Sequence, residues 1–76
     1  MRNPNEVMQD LNFQEKLLIF KDINELRETG YVKEHLYNLC KAISDEIGMR
    51  DTAVWIDLIQ KTIPLMIANE LLAKSE

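Results

Sequence analysis

The stretch Ala53 to Ala73, AVWIDLIQKTIPLMIANELLA, carries more apolar surface than one partner helix can cover. Placed at about 100° per residue, Trp55, Ile56, Ile59, Ile63, Met66 and Ile67 share one face, and Val54, Leu58, Leu65 and Leu72 fall on an adjoining one. The apolar arc covers about 220°, against the roughly 100° stripe of an ordinary surface helix. Water keeps only a strip holding Asp57, Gln60, Lys61 and Pro64. At about 1.5 Å rise per residue the helix is about 31 Å long, the width of a small domain. We therefore expect it in the middle of the fold. Pro64 lacks the N–H that would bond the Gln60 carbonyl, so a kink is expected near Gln60 to Ile63. Because Pro64 lies on the polar strip, water can take that carbonyl, and one kinked helix is expected rather than two.

The residues before this stretch read as the helices that cover it. From about Tyr31 to Ile47, Val32, Leu36, Leu39, Cys40, Ile43 and Ile47 fall on one narrow stripe, while Lys33, Glu34, Asn38, Lys41 and Asp45 face away. Gly48 ends that helix with a left-handed residue, and Asp51 or Thr52 can cap the apolar helix that follows. Upstream, Asn12 with Glu15 has capping-box spacing for a helix from about Phe13 to Thr29, closed by Gly30. Its half-cylinder is Phe13, Leu17, Ile19, Phe20, Ile23 and Leu26; Leu18 points the other way and is expected beneath the N-terminal segment. Asn3, Pro4 and Glu6 repeat the start signal for a short helix at about 4–11. The expected fold is all-α, a small three- to four-helix bundle of one domain over residues 1–76, with helices at about 4–11, 13–29, 31–47 and 52–73. The last two could pack in helix-turn-helix fashion.

Composition narrows the function classes. With 76 residues the chain is near the lower end of what folds on one core. Hydrophobic residues are 46% and charged ones 29%, a balance that suits neither disorder nor a membrane span. The segment MRNPNEVMQD has no apolar run of the secretory type, and the single Cys40 can build neither a disulfide framework nor a metal set, so a cytoplasmic protein is expected. The start at Met1 and the charged Glu76 lead us to expect a complete small protein. Thirteen acidic against nine basic residues give a formal net charge of −4 with no basic run, which disfavours nucleic acid and anionic lipid as partners.

One short segment resembles a helix-turn-helix. Ser44, Gly48 and Val54 meet its spacing of a small residue, a glycine four on and a β-branched residue six later, and Ile47 and Met49 suit its packing positions. The resemblance covers about 16 residues. Its reading helix would offer DNA only Arg50 and Thr52 between Asp51, Asp57 and large apolar groups, and Asp57 occupies an expected core position.

Catalytic signals are sparse. His35 has Asn38 and Leu39 at helical spacing and so no visible orienting carboxylate. Cys40 reads as a small core hydrophobe. Asp45 and Glu46 are adjacent and point to different faces. Lys21 with Glu25, Asp57 with Lys61, and Glu70 with Lys74 are solubilising pairs four residues apart. The sequence holds no phosphate loop, zinc spacing or nucleophile elbow. We expect no catalytic or metal residues, no cofactor and no small-molecule substrate. The apolar excess instead implies an acidic protein–protein interaction module, a homodimer that binds or occludes a partner protein, with Trp55, Ile56, Ile59, Ile63, Met66 and Ile67 at the interface. The alternative is a helix-turn-helix transcriptional regulator using residues 43–58, with Arg50 and Thr52 on DNA.

Overall fold

The computed structural model of the chain describes residues 2–75, and among these it holds four helices and no strand. The first, α1 (Pro4–Gln9), starts where Asn3 accepts the Glu6 N–H at 2.9 Å. It is two residues shorter than the spacing predicts: the chain turns at Asp10 and Leu11 because Asn12 opens a new helix. There Asn12 accepts the Glu15 N–H at 2.8 Å and Glu15 accepts the Asn12 N–H at 3.0 Å, a complete capping box. The second helix, α2 (Phe13–Thr29), runs to Gly30, whose φ of 78° is the left-handed stop expected of it.

The third helix, α3, is Glu34–Ile47, three residues shorter at its start than expected. Tyr31, Val32 and Lys33 carry no side chain able to cap, and Lys33 makes no capping bond at the helix start. The cap comes through space from Asp22 of α2, which accepts the Leu36 N–H at 3.0 Å. Val32 therefore leaves the stripe and is exposed. Gly48, at φ 79°, ends α3, and Asp51 caps the fourth helix, α4 (Thr52–Lys74), by accepting the Val54 N–H at 3.2 Å. That helix is continuous through Pro64, as expected of a proline beside solvent.

One core joins the four helices. Val7 and Met8 of α1, Ile19 and Ile23 of α2, Leu36, Leu39, Cys40 and Ile43 of α3, and Trp55, Ile59, Ile63 and Ile67 of α4 are buried together. Two expectations are corrected here. Leu18 is exposed rather than covered by the N-terminal segment, because α1 docks on α3. And α4 does not run through the middle of the fold. Its main packing partners are α2 and α3, in a molecule whose extents are 39 × 34 × 17 Å. Helices packed about 9 Å apart, each with a Cα radius of about 2.3 Å, fill a 17 Å thickness with two layers and leave no room for a third.

Candidate interaction surface

The two-layer arrangement decides what α4 shows to each side. Trp55 is 5% exposed, and its indole N–H donates to the Met49 carbonyl at 3.0 Å, which ties the start of α4 to the turn before it. Ile59 and Ile63 are fully buried and Ile67 nearly so, while Ile56 and Met66 are half-buried against the same core. The six residues expected at an interface thus form the inner face of α4 and are occupied by α2 and α3. The reason is supply: two neighbouring helices provide enough apolar surface for one face of α4, and the strongest face takes it.

The adjoining face is what remains. Val54, Leu65 and Leu72 are 46%, 65% and 66% exposed, and Leu58 is half-buried at the edge of the core. Together with Lys61 and Ala68 they lie at residues 54, 58, 61, 65, 68 and 72, alternate steps of four and three that keep a straight line along a helix. At about 100° per residue the six stay within an arc of about 80°. Leu71, also exposed, flanks them. Among the described residues of α4, the charges beside this line are Asp57 and Lys61, which bond to each other at 2.9 Å. The stripe is apolar except at Lys61, where the outer line meets the polar strip and the charge is answered by Asp57, on a chain whose total is −4.

The end of α4 is anchored to α2 by groups that periodicity alone did not pair. Lys16 is buried with its ammonium on Glu70, and Lys74 lies over the Phe13 ring at 4.1 Å from the centroid. Glu70 therefore turns to Lys16 rather than to Lys74. Likewise Glu25 faces Lys33 at 3.8 Å, where helical spacing offered Lys21. A lysine among apolar neighbours on α2 gave no sequence signal of this role, since it reads as an ordinary surface residue.

Other candidate positions lie apart from this surface. Arg50 and Thr52 border a shallow recess of about 110 Å³ with Tyr37, Lys41, Ser44 and Asp45. The Arg50 guanidinium is 3.9 Å from the Asp45 carboxylate, so part of its positive field is answered within the chain. His35 has its Nδ1 3.6 Å from buried Asp22, a neighbour from another helix that local spacing did not reveal. That distance is too long for a hydrogen bond, and the Asp22 oxygen concerned holds the Leu36 N–H. Burial pushes the Cys40 thiol up from its ordinary 9.0 to about 11, which keeps it protonated at neutral pH. Among the described residues no three His, Cys, Asp or Glu side chains gather as a metal set. No helix among them is long and apolar enough to cross a membrane.

The line along α4 is a surface feature that local packing leaves unexplained. No protein family, curated protein or solved structure matches this chain. The functional reading therefore rests on its own residues.

Proposed function

We propose that the chain is a protein–protein interaction module that self-associates as a homodimer and acts by binding or occluding a partner protein. The observation that carries this reading is the uncovered line Val54, Leu65 and Leu72 on a helix whose other face is core. Single exposed leucines are ordinary on any protein surface, but a run of them along one helix is the mark of a binding face. The acidic balance of the whole chain suits a target that is basic or apolar, such as a surface of a regulator or enzyme. An unpaired cysteine suits work in a reducing compartment such as the cytoplasm.

Light scattering over a wide concentration range tests the reading, with Leu65→Glu as the comparison. The expected result is a wild-type mass that climbs towards twice the monomer, and a variant that stays monomeric. A wild-type protein that is monomeric at every concentration overturns it.

A further inference from the structure

We infer that the surface fitting the outer line of α4 is the same line on a second copy, laid antiparallel with Val54 opposite Leu72 of the other copy. The inference rests on the self-association proposed above and specifies its geometry. The argument begins with the spacing. Positions 54, 58, 61, 65, 68 and 72 follow the alternation of a two-helix seam, and they carry Val, Leu, Lys, Leu, Ala and Leu in that order. Every leucine occupies one of the two alternating positions, and every smaller or linear residue occupies the other.

That division matters because the two orientations pair the positions differently. In an antiparallel pair each leucine meets a residue of the other kind: Val54 with Leu72, Leu58 with Ala68, and Lys61 with Leu65. Large side chains then sit against small or flexible ones, the arrangement by which facing layers interlock. In a parallel pair each residue meets itself. Two Lys61 side chains, each bonded to its own Asp57, would then face each other and leave a polar layer in the seam, with no apolar group against either lysine stem. The antiparallel pair instead lays the Lys61 methylenes along Leu65 while the ammonium stays on Asp57 of its own helix, where it already bonds at 2.9 Å.

Charge selects the same face. Two molecules of net charge −4 repel on approach, yet among the described residues of α4 the charges at its outer line are the mutually bonded Asp57 and Lys61. Across this face two copies therefore meet with little penalty. The contact is also modest. A line of about 27 Å by about 10 Å per copy falls short of the roughly 1,200–2,000 Å² of a stable complex. The dimer dissociates on dilution.

Paired cysteines read the orientation directly. Val54→Cys and Leu72→Cys are made as separate proteins, mixed, and oxidised with diamide; the buried native Cys40 does not compete. Both substitutions fall on exposed positions, so the fold is kept. The expected product is the mixed 54-to-72 disulfide, well beyond the roughly twofold excess over each like-to-like disulfide that random pairing of an equimolar mixture gives, with wild-type mass rising towards twice the monomer by light scattering at high concentration. Like-to-like disulfides in excess show a parallel pair and overturn the inference. A wild-type dimer that forms neither product pairs through another face, which overturns the inference and leaves self-association standing. A wild type that stays monomeric overturns both.

Discussion

Asp22 does the work of a residue that α3 lacks. It is 5% exposed, lies on the second helix, and takes the Leu36 N–H at a helix start with no capping side chain of its own. Replacing it by Ala leaves that buried N–H without an acceptor, and we expect a loss of about 2 kcal/mol in urea unfolding. Asp22→Asn keeps a carbonyl oxygen for the bond and should lose less; equal losses in both would mean that the charge, and not the bond, is what matters. Cys40 shows burial acting on chemistry. Its thiol titrates near 11 in the folded chain against 9.0 as an ordinary thiol. Below pH 9 both states hold the proton and folding gains in full; between 9 and 11 the unfolded chain releases its proton first, so stability falls as pH rises through that window. Cys40→Ala should flatten this alkaline decline when unfolding is measured at several pH values. The same burial should keep native Cys40 slow towards iodoacetamide at neutral pH and fast in denaturant.

At the scale of elements, the helices are cut by local signals and joined by distant ones. Gly30 and Gly48 end α2 and α3 at positive φ, and a Cβ built on either meets nothing within 4 Å. Gly48→Ala should therefore cost only the backbone strain, about 1–2 kcal/mol, and a larger loss in thermal unfolding would show that the turn does more than change direction. Between α2 and α4 the fastening is the buried Lys16 on Glu70. Glu70→Ala strands that ammonium. Because the Glu70 side chain is 34% exposed, water offsets part of the loss, and about 2 kcal/mol is expected rather than the roughly 3–5 of a fully buried pair. Adding Lys16→Met to Glu70→Ala should restore most of the stability, since a methionine fills the space and needs no partner. No recovery in the double variant would mean that the pair orients the helices as well as holding them.

For the whole molecule the decisive property is thinness. Two layers of helices bury one face of α4 and leave the other to solvent. The two faces should respond oppositely to substitution. Trp55→Ala removes a core side chain and its bond to Met49, a loss of about 3–5 kcal/mol from a domain of this length that holds only about 4–11 kcal/mol. It should unfold or loosen the chain, as near-ultraviolet circular dichroism would report. Leu65→Glu changes a side chain that is 65% exposed and outside the core cluster, and should leave the unfolding midpoint of dilute protein unchanged. A large effect of Leu65→Glu on that midpoint would place Leu65 in the core and remove the ground for a binding face.

The sequence by itself determined the four helices, their order and most of their ends, because capping asparagines, αL glycines and the spacing of apolar residues act within a few residues of chain. It also separated the two apolar faces of α4, Trp55 to Ile67 on one and Val54, Leu58, Leu65 and Leu72 on the other. Only the tertiary structure decided which face is core. That choice depends on where α1 docks, and α1 lies on α3 rather than over α4. The same is true of Asp22 capping α3, of Lys16 meeting Glu70 and of His35 beside Asp22, all of which join residues at least 13 positions apart. Periodicity reports which side of a helix is apolar; what lies against that side is a property of the packed chain, because the number of neighbouring helices sets how much apolar surface can be covered.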